Sequence, residues 1–464
     1  MHKAEMASPL PTSVKAGWAS AVLGSGTMLV LSNVLLLFFL VSHVGMSPAL
    51  AGLILFATRI YDMASDLAMG LLSDRINTRW GRRRPWMFLG ALVSAPATFA
   101  LFHVPHFESQ ALTAAYVAGV LVVFYTGYTL FTIPHTALPV DMTDDYNERT
   151  SLMAYRTLFS TASGMAAYVG APWLIAYFGG DRAAYGTTAG LLSGVVLLAF
   201  LSAVFFTRNV RETPLETIKP SIRDSLAVLQ NRPFVLLLGV KLCLFTAVSV
   251  VGATQMFAVK YMLGRSEAFF GTMSAVSYVV MLAAIPVWTR LAKKHGKATA
   301  LLWGISSAYL LAHLSWLLAT PTEPVWFSLA RMGVAGFGFC ALTLCGYAML
   351  PDTIDYDYRS TGRQRGGIMA GVYAFVEKTG FALGPVICGF VLQAMGFVSG
   401  RGAVQSEAAV NAVRWSISIG PTLMALLAIP LLIAYRRYEP AMRLQRLAAD
   451  ARAAGSNAAS PFFS

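Results

Sequence analysis

Residues 59–84 read RIYDMASDLAMGLLSDRINTRWGRRR, and their reading decides the rest of the chain. The first half places Asp62 and Asp66 inside an otherwise apolar segment. The second half is a short loop carrying Arg75, Arg79, Arg82, Arg83 and Arg84. Carboxylates four residues apart lie on one face of a helix. An ionised group at membrane depth costs roughly 2.5–3.5 kcal/mol on the gentlest scale, so such groups are kept for a purpose. Two carboxylates this close repel, so either one is protonated or the pair holds a cation. Hard cations such as Na+ favour oxygen ligands, and the hydroxyl of Ser65 stands beside the pair. The competing reading is structural: Arg59, one turn before Asp62, neutralises it.

Composition supports a membrane setting. The 464 residues are 56% hydrophobic and only 12% charged, with a mean hydropathy of +0.60, whereas a soluble domain carries about 25% charged residues. The formal charge of +13 does not form a nucleic-acid stripe, because most basic residues fall in short loops between apolar runs and in the tail. Cys243, Cys340, Cys345 and Cys388 lie in apolar stretches without metal-ligand spacing and read as packing residues. The first apolar run is too long for a signal-peptide core and reads as an uncleaved span. No phosphate-binding loop, catalytic triad or metal motif appears, which argues against a primary pump or a membrane enzyme.

A span needs about 20 apolar residues. That rule places helices near 18–42, 49–74, 86–104, 112–139, 151–178 and 184–207, then near 233–256, 268–290, 298–319, 325–350, 367–394 and 411–435. The expected organisation is a short N-terminus (1–17), a six-helix bundle (18–207), a linker (208–232), a second bundle (233–435) and a tail (436–464) that begins as an amphipathic helix and ends in disorder. The loops after helices 2, 8, 10 and 12 carry clustered Lys and Arg, and the alternate loops, Arg401 apart, carry no surplus of positive charge, which is expected to put both termini in the cytoplasm. The loops 74–84 and 290–297 echo each other, each basic with a central glycine (Gly81, Gly296), as two related bundles would require.

Further polar residues punctuate the spans. The fourth contains YTGYTLFTIPHTALP, with Thr129, Thr132 and His135 near Pro134 and Pro139. Proline frees carbonyls where a helix lines a cavity. Thr129 and Thr132 are candidate oxygen ligands for the Asp62–Asp66 pair, against the reading that each hydroxyl bonds its own helix. His135 reads as a proton relay or substrate contact, or equally as a packed neutral imidazole. Lys378 and Tyr373 in GVYAFVEKTGFALG and Tyr155 and Arg156 in NERTSLMAYR complete the candidate substrate set, while Arg149 reads as loop. Lys378 is expected to answer the charge of helix 2, to hold a substrate oxygen or to snorkel, and Arg156 to meet a substrate or a gate carboxylate. Lys241 and Arg331 are intramembrane cations without an assigned role, and Trp18, Trp173, Trp316 and Trp326 read mostly as interface belts.

Over nearly the whole chain, RIYDMASDLAMG, DRINTRWGRRRPW, IPHTALP and NERTSLMAYR resemble the glycoside–pentoside–hexuronide:cation symporters, the melibiose permease family of the major facilitator superfamily. The resemblance implies that Asp62 and Asp66 are cation ligands with Ser65 and Thr129 at neighbouring positions, that Lys378 matches the family's helix 11 lysine and that Arg156 matches its helix 5 arginine. Departures stand at Gly26, where melibiose permeases carry a sugar-binding aspartate, at Thr132, in place of a third aspartate, and at Thr136, in place of a tryptophan. The region around IPHTALP also resembles sodium-dependent lysolipid transporters.

The expected protein is therefore an all-α polytopic inner-membrane protein of the major facilitator fold, with twelve helices in two pseudo-symmetric bundles. It is expected to be a monomer, without cofactor or nucleic-acid partner, whose partners are the bilayer, a small-molecule substrate and a coupling cation, Na+ or H+. The expected activity is symport of a sugar, glycoside, pentoside or uronide by alternating access. A lysolipid or other amphiphile is the alternative substrate, and a non-transporting sensor a more distant reading. Asp74, Arg75, Arg79, Arg82, Arg83 and Arg84 form the expected cytoplasmic gate, with Asp141, Asp144 and Asp145 as acidic partners.

Overall fold

The computed structural model describes residues 10–73, 78, 80–143, 145–210 and 227–445. Asp74, Arg75, Arg79 and Asp144, most of the expected linker and the end of the tail lie outside the described residues. Long helices follow one another: α1 (Thr12–Val44), α2 (Pro48–Ser73), α3 (Arg84–Phe102), α4 (Gln110–Met142), α5 (Tyr146–Met165, a wider turn Ala166–Gly170, and Ala171–Tyr177), α6 (Arg182–Thr207), α7 (Arg232–Met262), α8 (Glu267–His295), α9 (Lys297–Leu318), α10 (Val325–Thr361), α11 (Gly366–Ala394) and α12 (Glu407–Arg436). Among the described residues, ten of these are long and apolar enough to cross a bilayer. The two that fall short of that apolarity are α2, with Arg59, Asp62 and Asp66, and α5, with its polar first turns.

Several helices outrun the lengths expected from hydropathy. α10 does not stop near residue 350 but continues through DTIDYDYRST to Thr361, where Gly362 takes φ 68° and donates its N–H to the Tyr358 carbonyl. Hydropathy marks where the bilayer ends, whereas the backbone hydrogen bonds persist into water until a left-handed glycine stops them. α8 likewise runs on to Lys293, Lys294 and His295, cations that suit a helix C-terminus. Arg149, expected in a loop, lies in the first turns of α5, and its Nε donates to the Thr143 carbonyl at 2.8 Å.

The chain forms two compact units. The first holds the described residues up to 210 with Gly252–Ala275 and Ala382–Val413. Within it α1 packs on α5 and α6, α3 on α4 and α6, and α2 on α4. Its core is aromatic: Trp18, Phe38, Phe39, Phe124, Tyr125, Phe131 and Phe200 are fully buried, and Phe131 stacks on Phe200 at 3.6 Å. The start of α2 meets the end of α11 backbone to backbone. A Cβ on Gly52 would lie 2.5 Å from the Pro385 carbonyl oxygen, and one on Gly389 2.3 Å from that of Pro48. Only glycine permits that approach, and it fixes the first turns of the helix that carries the paired carboxylates.

The second unit holds Val276–Phe381, the described part of Ile218–Val251 and the described residues from Arg414. Phe234, Trp288, Leu301, Tyr309, Cys345 and Tyr435 form its apolar centre. All four cysteines are free. Two of the tryptophans expected in interface belts are core residues instead, Trp18 at 0% and Trp316 at 2% exposure, while Trp173 and Trp326 are exposed. Both buried rings lie against polar groups, Trp18 on His135 and Trp316 on Arg331, and those contacts draw them inward.

Candidate functional site

The paired carboxylates face α4. Asp62 is wholly buried, and Asp66, one turn on, is half-buried. The Thr129 hydroxyl reaches both, lying 2.8 Å from Asp66 Oδ1 and 3.3 Å from Asp62 Oδ1. Ser65 Oγ lies 3.1 Å from the same hydroxyl and donates to the Asp62 carbonyl at 2.9 Å. A hydroxyl carries one hydrogen, so Thr129 can satisfy only one of these carboxylates at a time. The two hydroxyls and the two carboxylates thus form one set of convergent oxygens. Such a cluster gains from a proton or a hard cation in its midst, and its ligands are of the oxygen type that alkali ions prefer.

Arg59 does neutralise one edge. Its Nη1 lies 3.7 Å from Asp62 Oδ2. The guanidinium is itself held from α1, donating to Asn33 Oδ1 at 2.5 Å and Ser32 Oγ at 3.3 Å, and it stands 4.8 Å from the Tyr125 ring centre. The structural and ion-binding readings therefore fall on different oxygens: arginine on Oδ2 of Asp62, the threonine hydroxyl on Oδ1. Sequence reasoning missed Ser32 and Asn33, although a Ser-Asn pair inside VLSNVLLL was a signal for it.

The remaining candidates are spread out. Thr132 Oγ1 donates to its own helix, at the Tyr128 carbonyl, 2.8 Å away. His135 is buried, stacked on Trp18 at 5.0 Å, with Nε2 2.8 Å from the Trp18 carbonyl oxygen. On α5 Tyr155 is half-buried and Arg156 exposed. Lys378 is half-buried on α11. Tyr373 is buried, its hydroxyl donating to the Gly346 carbonyl at 3.0 Å. Of the basic loop, Arg82 and Arg83 converge on Asp141 at 3.3 and 2.7 Å, while Arg84 donates to the Trp80 and Val210 carbonyls. Asp141, which meets both Arg82 and Arg83, is nearly buried.

Lys241, which had no assigned role, is the centre of a second cluster. Its Nζ lies 2.7 Å from Glu377 Oε2 and sits over the rings of Phe245, Tyr347 and Tyr373 at 3.6, 3.8 and 4.4 Å from their centres. The Tyr347 hydroxyl donates to Glu377 Oε1 at 2.8 Å.

The family model described as MFS/sugar transport protein matches residues 17–437. The chain belongs to that family. It is a membrane transporter of the major facilitator fold and not an enzyme. Among its relatives, a Bacillus subtilis symporter, YnaJ, is 31% identical, with 89% of each chain covered. The isoprimeverose transporter of Lactiplantibacillus pentosus is 27% identical over 82% of this chain and 79% of its own length. Of solved structures, a proton-dependent oligopeptide transporter superposes with a TM-score of 0.67 at 14% identity, covering 94% of this chain and 99% of its own, a likeness of fold alone.

Proposed function

We propose that this protein is a symporter that couples a sugar-type solute to Na+ or H+ bound at Asp62 and Asp66, working by alternating access with both termini in the cytoplasm. The observation that carries the reading is the Thr129 hydroxyl within hydrogen-bonding reach of both carboxylates. A pair needed only for structure would require Arg59 and no hydroxyl from a second helix at its other edge. Family membership and the names of its relatives, a symporter and an isoprimeverose transporter, support the sugar-type solute. The bound ion neutralises the pair and favours the substrate-binding conformation, and by linkage substrate tightens ion binding by the same factor.

The test is gradient-driven uptake. Proteoliposomes carrying the full chain are expected to accumulate a neutral glycoside or pentoside above its external concentration when an inward Na+ or H+ gradient is imposed. Dissipating that gradient abolishes accumulation. Uptake that only equilibrates, whatever the gradient, refutes coupling.

Thr129→Val removes the bridging hydroxyl at nearly constant volume. The apparent affinity for the coupling ion is expected to fall about tenfold, the equivalent of about 1.4 kcal/mol, which is near the worth of one lost polar contact to a charged group. Ion titration of thermal stability reads the shift, and an unchanged midpoint removes Thr129 from the site.

A further inference from the structure

We infer that Glu377, backed by Lys241 and flanked by Tyr347, is a substrate-recognition carboxylate that selects neutral sugars over acidic ones. The inference rests on the sugar-symporter reading and narrows its substrate class.

Lys241 itself has little to offer an incoming ligand. Its side chain is 3% exposed, its ammonium is enclosed by three aromatic rings, and Glu377 Oε2 stands 2.7 Å away. Ring faces and a carboxylate together satisfy the charge of an ammonium, and no side of it is open to an incoming anion. What the cluster presents outward is Glu377, whose side chain is 24% exposed, and Tyr347, 45% exposed. An ionised carboxylate facing hydrocarbon is costly, so this edge borders water-accessible space rather than lipid.

The lone pairs then define the ligand. A carboxylate has about four acceptor positions, two on each oxygen. The Tyr347 hydroxyl takes one on Oε1 and Lys241 stands against Oε2 as its ion-pair partner, which leaves each oxygen able to accept a hydrogen bond. Two acceptors side by side match two neighbouring hydroxyls of a sugar ring, and the exposed Tyr347 ring supplies an apolar surface for its C–H face. A uronate or sulfonate brought to the same place meets a like charge whose only counter-ion in the cluster is already engaged. Lys378, the next residue, is turned about 100° around the helix and does not share the Glu377 face.

Matched sugar pairs test this in proteoliposomes containing the full chain, read as counterflow without an ion gradient so that coupling does not enter. The probes are methyl β-D-glucoside against methyl β-D-glucuronide, methyl β-D-galactoside against its uronide, and methyl β-D-xyloside. The wild type is expected to exchange the neutral member of an accepted pair at least about tenfold faster, since a site built for hydroxyls leaves its own groups unpaired against the wrong ligand. In Glu377→Gln, neutral exchange is expected to fall about tenfold and the neutral-to-acidic ratio to shrink towards one, because Lys241 loses its counter-ion. A purely structural Glu377 would not shift that ratio. The double variant Lys241→Met with Glu377→Gln removes both charges together and guards against misfolding by a lone buried cation; it too should lose neutral exchange. Tyr347→Phe is volume-conserving and should raise the half-saturating neutral sugar concentration without lowering the maximum rate. A wild type that prefers the acidic members overturns the inference without touching the sugar-symporter reading, as does wild-type exchange by a folded Glu377→Gln or double variant. A wild type that exchanges none of the sugars overturns the sugar-symporter reading and this inference with it.

Discussion

Replacing Asp62 and Asp66 by asparagine, singly or together, is expected to abolish ion-driven accumulation while leaving the protein folded. The amide keeps the size of the carboxylate and can still accept from the Thr129 hydroxyl, which lies 2.8 and 3.3 Å from the two side chains. Arg59 remains anchored by Ser32 and Asn33 when Asp62 loses its charge. What disappears is the negative charge that holds the ion. An ion present at a hundred times its dissociation constant stabilises the folded state by about 2.7 kcal/mol, and that increment should vanish in either variant. Melting temperatures across Na+, Li+ and K+ at several pH values separate the coupling ions. Stabilisation by Na+ or Li+ that is lost in Asp62→Asn marks an alkali-ion symporter. A wild type indifferent to alkali ions but responsive to pH through these residues marks a proton symporter. In both cases the accumulation ratio of the variants falls to about one, since without linkage a carrier only equilibrates its solute. Accumulation by the double variant would sink the ion-site reading.

The pair was legible because ionisable residues stand out in an apolar run, and their i, i+4 spacing alone puts them on one face. Which hydroxyl of α4 completes the cluster was not. Thr129 and Thr132 are three residues apart and nearly share a face, so the rotation of α4 against α2 decides between them; it turns Thr129 to the carboxylates and leaves Thr132 bonded to the Tyr128 carbonyl. Long-range partners were hidden for the same reason. Trp18 satisfies His135 from another helix, and the Glu377 that pairs with Lys241 is far along the chain, beside the Lys378 that family likeness emphasised. Sequence periodicity reports faces of single helices, whereas these contacts arise from how helices are rotated against one another. The all-helical membrane fold itself was legible from the apolar runs. The helix ends were not, because hydropathy measures immersion and α10 continues past it to Gly362.

The largest loss of stability is expected from Glu323→Ala. Arg331 of α10 and Glu323 of the preceding loop form a two-pronged pair, Nη1 to Oε1 and Nη2 to Oε2, both at 2.9 Å. The side chains are only 1% and 6% exposed. The guanidinium also donates from Nε to Ser315 Oγ at 3.0 Å and lies over the rings of Trp316 and Phe327, 4.5 and 5.0 Å from their centres. Removing one partner of a buried pair strands the other charge, at a cost of about 3–5 kcal/mol. Alanine at 323 should therefore depress the melting temperature or the yield of folded protein more than any exposed-loop substitution. Removing both charges is a different experiment. Glu323→Gln with Arg331→Met leaves no stranded ion and should recover most of the loss, because a buried pair replaced by neutral groups of similar size is often nearly neutral in stability. Arg331→Lys should fall between, since a lysine keeps the charge but not the planar fork or the stacking. A single variant within about 1 kcal/mol of wild type would place the pair among those that contribute little. Neither residue belongs to the Asp62–Asp66 cluster, so ion-dependent stabilisation should persist in the recovered double variant, which separates a structural lesion from a loss of the ion site.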